Sequence, residues 1–248
     1  YLWPVRSDRR EIGLYDSEIE RQDTATSILQ DAFEVIAGIG PRLEANIEAP
    51  EVLRAGRRYV AWLNYANTGD SDMLSPLFTV RSNVAISLDK EVEGKNALEI
   101  LGISDSVLPQ YLKSGQSQRI PIYFTSPSSG IVSFSLFETL GDTTPIDWAS
   151  QKELMKPLDM EAQEWDTLWP DLIARLGETW SEYLAVLRSN ALRITRRGIS
   201  AYDVSRLIAI ESRIARGLPV NAISGILMSA ESDKALVNVP VRARSIDG

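Results

Sequence analysis

The chain has neither cysteine nor histidine in its 248 residues. Without cysteine there are no disulfides, thiolate nucleophiles, Cys-ligated zinc sites or iron–sulfur clusters. That removes the disulfide-rich secreted class without locating the chain. Without histidine, the usual proton shuttle, the Ser-His-Asp triad, His-ligated zinc hydrolases and haem ligation all go. Catalysis would have to run on carboxylates, lysine, tyrosine or a Ser-Lys pair. The chain therefore reads as non-catalytic, with no catalytic residue, cofactor or metal site assigned. Long apolar runs are missing too, and none approaches the roughly 18 residues of a membrane span. A net charge of −8 argues against non-specific nucleic-acid binding, which needs a basic face. The first residue is Tyr1, and no basic segment followed by an apolar one comes after it. The expectation is a processed chain or a window cut from a longer one.

What is present is alternation. Tyr59, Ala61, Leu63 and Tyr65 share one face of a strand, and Val60, Trp62 and Asn64 share the other. Gly56 precedes this strand and Asn67-Thr68-Gly69 ends it, with Asn67 and Gly69 both able to accept positive φ. Leu43–Ile47, Leu77–Arg81, Val84–Leu88, Ala97–Ile103, Arg119–Phe124 and Ile131–Glu138 read as further short strands. Pro121 suggests that the Arg119–Phe124 strand lies at an edge. Seven or so strands in about a hundred residues, broken by Gly, Pro and Ser, is the pattern of a β-sandwich. Residues 1–41 read as the tail of a preceding unit or a linker, with short strands at Ile12–Tyr15 and Ala32–Ile36.

After Gly141 the apolar period lengthens. Thr144-Pro145-Ile146-Asp147 offers a cap, a proline at the first helical position and an acid at the third. Trp165, Leu168, Trp169, Leu172, Ile173 and Leu176 form one helical stripe, within which Pro170 predicts a kink or a break. Trp180, Tyr183, Leu184, Leu187, Ala191 and Ile194 continue as a helix after Gly177. Ser200 with Asp203 reads as a capping box for a last helix, which ends at Gly217-Leu218-Pro219. Residues 219–248 return to alternation. The expected class is a multidomain α+β chain: an all-β sandwich over 42–141, a helical unit over 142–218, and partial β-segments at 1–41 and 219–248.

The Gly56–Gly69 segment, Leu112-Lys113-Ser114-Gly115 and Gly130-Ile131-Val132-Ser133-Phe134 resemble the immunoglobulin-like modules of large bacterial surface and secreted proteins. Ile223-Ser224-Gly225-Ile226-Leu227, Lys234–Val241 and Asp247-Gly248 resemble the start of a carboxypeptidase-regulatory-like (transthyretin-like) β-domain. The run Trp148, Trp165, Trp169, Gly177–Trp180, Tyr183 and Asn190 is similar to a helical insert of very large, repeat-rich bacterial extracellular proteins. These resemblances imply a non-catalytic structural or adhesion spacer, extracellular or at the cell surface. Its partners would be neighbouring domains of the same polypeptide, with a surface protein or a glycan as further candidates. Two alternatives stay open: a carbohydrate-binding or accessory unit of a secreted glycan-acting enzyme, and a scaffold segment of a polymorphic toxin.

Several clusters have residue types that chemistry uses, and each also has a simpler structural reading. Glu161, Glu164 and Asp166 beside Trp165 and Trp169 have the residue types of a sugar site, but the stripe spacing fits core-facing indoles and water-facing acids better. Asp70 and Asp72 are oxygen donors of the kind calcium takes, yet no complete calcium loop surrounds them. Ser150 and Lys152 miss Ser-x-x-Lys spacing. Arg193, Arg196, Arg197 and Arg206 are basic enough for an acidic partner, and equally suit a helix C-terminus. Tyr1, Trp3 and Tyr15 are candidates for packing on a neighbouring domain.

Overall fold

The computed structural model describes residues 11–20, 26–92, 94–104, 108–157, 160–195 and 201–218. The expected β-domain start at 219–248, Tyr1, Trp3, Arg196, Arg197 and Ser200 lie outside the described residues. The described chain is α+β, with antiparallel sheets followed by helices. Its strands are β1 (Gly13–Glu20), β2 (Thr26–Val35), β3 (Leu43–Glu48), β4 (Arg58–Asn67), β5 (Met73–Leu74), β6 (Leu77–Ser87), β7 (Lys95–Leu101), β8 (Tyr111–Leu112), β9 (Ser117–Thr125) and β10 (Phe134–Thr139). The helices are α1 (Trp148–Met155), α2 (Ala162–Leu176), α3 (Trp180–Thr195) and α4 (Val204–Ala215).

The main sheet has six strands in the order β10-β6-β9-β4-β3, with β7 also paired to β6. β6 makes this possible by serving two sets of neighbours. Its first half, Leu77–Ser82, pairs with β10, and Leu77–Arg81 pairs with β7, which rejoins at Ile86 after a register shift, while Ile86 and Ser87 also pair with β9. The two short strands expected around Ser82-Asn83 are thus one strand of 11 residues. Inward side chains of all the sheet's strands meet in one core that includes Leu63, Tyr65, Phe78, Ile86, Ile122 and Phe124, with Leu43, Ile47, Phe134 and Leu136 packed against it. Pro121 sits in an interior strand but opposite β4 alone, because β6 reaches β9 only at Phe124 and Tyr123. The proline therefore lies where the ladder has one neighbour, which is the environment a residue without N–H requires.

β4 alternates as its sequence predicts, with Ala61, Leu63, Tyr65 and Asn67 buried. Asn67 ends the strand with its carboxamide fully engaged. Its Nδ2 donates to the carbonyls of Ser71 and Leu112, and its Oδ1 accepts from the Arg42 and Gly69 amides. The corner does not use the positive φ expected at Asn67 and Gly69, since neither adopts it. Gly69 is needed for space instead: a Cβ there would lie 2.1 Å from the Gly40 carbonyl oxygen and 2.6 Å from the Arg42 nitrogen. The neighbouring Asp70 accepts from the Ile39 amide at 2.7 Å and Asp72 from the Ser114 amide at 3.0 Å.

Before the main sheet, β1 and β2 form a hairpin rather than a linker with two short strands. Hydrogen bonding extends the two strands well beyond the short strands expected at Ile12–Tyr15 and Ala32–Ile36. Between the Tyr15–Phe33 and Ser17–Leu29 pairs the register shifts. Asp31 takes φ 51° at the shift, and its amide donates to the Asp16 carboxylate. Aspartate tolerates this region better than most residues because its short side chain bonds locally. Tyr15 stacks on Phe33 at 5.6 Å, within the hairpin, while Leu14, Ile28 and Leu29 are exposed.

Helix entry differs from the Thr144-based expectation. Asp147 caps α1, accepting from the Ala149 and Ser150 amides. Thr144–Ile146 is instead extended, bonding to the 178–180 segment through Ile146 N–H to Glu178 O and Trp180 N–H to Thr144 O. Pro170 does not divide its helix; α2 runs through it as one element. Trp165, Leu168, Trp169, Leu172 and Leu176 on either side of the proline are buried in one core. Packing on that stripe outweighs the missing hydrogen bond. Asp203 caps α4 directly, accepting from the Ser205 amide.

Asn67→Ala should cost about 3 kcal/mol in urea unfolding, because it leaves the buried Gly69 amide and Leu112 carbonyl unpaired. The adjacent exposed Thr68→Ala should cost less than about 0.5 kcal/mol. Trp165→Ala should cost about 3–5 kcal/mol as a core truncation; a change below about 1 kcal/mol would mean that the indole is not a core anchor.

Candidate functional site

Apolar packing, backbone bonds and buried polar side chains converge at the junction where the helices meet the sheet. Leu77 of β6 and Leu101 of β7 belong to the helical core and not to the sheet's own. Backbone joins the two as well, with Leu101 N–H donating to Tyr202 O and a bridge between Ile100 and Asp203. Polar side chains then cross the junction at several points. The Arg188 guanidinium of α3 donates through Nε and an Nη to the carbonyl of buried Ser75, at 3.0 and 2.8 Å. The Lys95 ammonium of β7 donates to Leu154 O at 3.0 Å and to Lys156 O at the end of α1, where a cation suits the helix dipole. The Tyr183 hydroxyl of α3 donates to the Glu99 carboxylate of β7 at 2.8 Å.

Burial governs the ionisation of this group of side chains. Loss of water pushes the Glu99 carboxyl up to about 7, against the opposing effects of the Tyr183 hydroxyl and Lys95. Desolvation also raises Tyr183 well above its ordinary value, and the Glu99 charge adds to it. It lowers Lys95, with nearby Lys156 as a smaller cause. It pulls Arg188 down to about 10, which leaves the guanidinium charged at neutral pH.

A second polar clasp holds the helices to one another. Glu211 of α4 accepts from Arg175 of α2 at 2.8 and 2.9 Å and from the Asn190 amide of α3 at 2.9 Å. Asn190 also donates to Leu207 O. At the head of α3, the Glu182 carboxylate accepts from the Glu178 and Thr179 amides, while Thr179 Oγ1 accepts from the Glu182 amide. This reciprocal capping box holds Glu182 below the usual carboxylate range, chiefly through the Glu178 N–H.

The acid–tryptophan cluster does not assemble into a sugar site. Trp165 and Trp169 are buried and pack on each other at 5.1 Å, and the Trp165 Nε1 donates to Lys152 O. Glu161 and Glu164 do share a shallow depression with Asp171 and Arg216, but neither indole lines it. Glu164 pairs with Arg216 at 3.0 Å and Asp166 with Lys152 at 2.6 Å. Among the described arginines of the basic cluster, Arg206 pairs with Asp203 at 3.3 Å and Arg193 lies in the last turn of α3. Among the described residues, no group of three or more His, Cys, Asp or Glu side chains is placed to hold a metal ion. No described helix is long and apolar enough to cross a membrane.

Glu99, Arg188 and Glu211 are not singled out by the sequence, and Asn190 stands in it only as part of the run that resembles a helical insert, yet each carries a signal. Arg188 lies four residues from Leu184 and three from Ala191, on the apolar stripe of α3. Asn190 and Glu211 interrupt apolar stripes in the same manner. Glu99 stands between Leu98 and Ile100 in β7. A polar residue at a stripe position marks a buried hydrogen bond.

The Glu99 carboxyl sets a pH window. An unfolded-chain carboxyl titrates near its model value of 4.5, so between there and about 7 the folded state holds a proton that the unfolded state has lost. The associated stability is complete at low pH and is lost as pH rises through about 7, by an amount on the order of 3 kcal/mol at most. Urea midpoints should therefore fall between about pH 5 and about pH 8. Glu99→Gln, which keeps an acceptor for Tyr183, should remove that decline; identical slopes in both proteins would contradict it.

No family model matches the chain, and no curated protein matches it. Among solved structures, Spo0M, the sporulation control protein of Bacillus subtilis, shares 12% identity over 48% of this chain and 55% of its own. The alignment thus spans about half the length of that protein. At a TM-score of 0.21 this likeness bears on neither fold nor function.

Proposed function

We propose that this chain is a non-catalytic rigid spacer of a large bacterial secreted or cell-surface protein. In this reading, β3–β10 form an immunoglobulin-like sandwich and α1–α4 form a unit that sets the angle at which the chain continues. The single observation carrying it is the Arg188 guanidinium held on the buried Ser75 carbonyl, across 113 residues of sequence. A guanidinium buried on one carbonyl resists displacement, since separating the units would strip both groups of their partner. Support for the sandwich comes from β6, whose two sets of neighbours bring β3-β4-β9 and β10-β6-β7 around one core. The sequence resemblance to bacterial surface modules supports the setting.

A rigid spacer requires that sheet and helices unfold together. Tryptophan fluorescence, dominated by Trp148, Trp165, Trp169 and Trp180 in the helices, should report the same urea transition as far-UV circular dichroism. Two separated transitions in the unmodified chain would overturn the reading. Arg188→Met should lower the shared midpoint by about 2–4 kcal/mol of stability, because it leaves the Ser75 carbonyl buried without a donor.

A further inference from the structure

We propose that the edge of β1 takes up an extended segment of a second protein, one that carries lysine or arginine at alternate positions. This goes beyond the spacer reading and uses none of the residues that carry it.

The β1–β2 hairpin is an incomplete sheet. Two strands alone are marginal in water, and a third strand or a packed face is what ordinarily completes them. No described residue of the hairpin belongs to the core of the main sheet or to that of the helices. Leu14 is 61% exposed, Ile28 58% and Leu29 66%. Among the described strands, β1 and β2 pair only with each other. Each therefore turns a row of backbone N–H and C=O groups away from its partner, as any edge strand does.

The two edges are not equivalent. Between the Tyr15–Phe33 and Ser17–Leu29 pairs, β1 runs through Asp16 alone, while β2 runs through Gln30, Asp31 and Ala32. The surplus residues and the left-handed φ of 51° at Asp31 both fall in β2. A bulge bends its strand and breaks the even row of outward groups, which blunts that edge. β1 has no surplus residue and no proline. Its alternation is even as well, with Leu14, Asp16 and Glu18 exposed and Gly13, Tyr15 and Ser17 less so. An incoming strand bonds through its backbone to a regular edge, and here that edge belongs to β1.

Charge selects the strand. Leu14, Asp16 and Glu18 stand on one face of β1, with Glu34 opposite Leu14 and Ile28 opposite Glu18. Neither hairpin strand contains lysine or arginine. The Asp16 carboxylate accepts from the Asp31 amide at 2.8 Å, which orients it and leaves its charge to be met from outside. A strand added to β1 sets alternate side chains about 5 Å from Asp16 and Glu18, so two cations two residues apart meet both carboxylates. An acidic segment, a nucleic acid or an anionic lipid surface would meet like charge instead. So would the hairpin of a second copy, which has no cation to offer.

The test is fluorescence anisotropy of a short labelled peptide alternating lysine with valine, titrated with the full chain. Three further peptides accompany it. One has glutamate in place of lysine, and two keep the lysines but are N-methylated at one or the other alternate set of amides. The lysine peptide should bind saturably and the glutamate peptide should not. Methylation of one set should abolish binding and methylation of the other should be tolerated, because only alternate amides of an added strand face its neighbour. Asp16→Asn combined with Glu18→Gln keeps the acceptors, removes the charge, and should weaken binding by about tenfold or more. Glu51→Gln combined with Asp171→Asn removes the same charge from exposed positions outside the hairpin and should leave binding unchanged. Urea midpoints of both double variants should match the unmodified chain, which separates loss of binding from loss of fold. Absence of saturable binding would overturn the proposal. So would equal weakening by the two double variants or full binding of both methylated peptides, since either result means general charge attraction without strand pairing.

Discussion

The carboxamide of Asn67 ties the Arg42, Gly69–Ser71 and Leu112 stretches to the end of β4. It receives the amide that opens β3, the amide of the tight corner after β4, and gives its hydrogens to the carbonyls of Ser71 and the end of β8. A buried amide in this position is either fully paired or costly. All its partners must therefore arrive together, and that requirement fixes where β3 begins and ties Leu112 of β8 to the end of β4. Gly69 completes the constraint from the other direction, because the Gly40 backbone occupies the volume where a side chain would be. The start of the sheet depends on one donor–acceptor set and one missing methyl group.

From that corner outward, the molecule alternates between apolar packing and a small number of buried polar links. Apolar contacts supply the driving force but are indifferent to register. Arg188 on Ser75, Tyr183 on Glu99 and Asn190 on Glu211 supply direction, since each is satisfied in one arrangement only. Separate cores for sheet and helices would permit sliding. Leu77 and Leu101, strand residues lodged in the helical core, together with these links, leave little freedom for it.

Much of the sheet was legible in sequence because period-two alternation is a local signal. β3, β4, β9 and β10 lie close to where the alternation of Leu43–Ile47, Tyr59–Tyr65, Arg119–Phe124 and Ile131–Glu138 put them. The helical stripes were legible for the same reason. What escaped was non-local. Nothing near Ser82-Asn83 announces that β6 continues through them, because the shift from one set of strand neighbours to another belongs to the partners. Thr144 has the residues of a cap, but its backbone is taken by a segment more than thirty residues away. The outward rows around Trp62 were visible as one face of a strand. That they stand beside Asn46 and Arg119 depends on strand order, which alternation does not encode.

The β1–β2 hairpin exposes Leu14, Ile28, Leu29 and Phe33 to water and leaves strand edges of the kind that template pairing between copies. Interleaved with these apolar residues are Asp16, Glu18, Asp31 and Glu34, with no lysine or arginine in either strand. Two hairpins approaching edge to edge would bring like charges into register, and this repulsion opposes stacking. The same carboxylates that make the hairpin look polar in sequence thus act as its protection against aggregation. That protection is electrostatic, and it weakens wherever salt screens the charges or acid removes them.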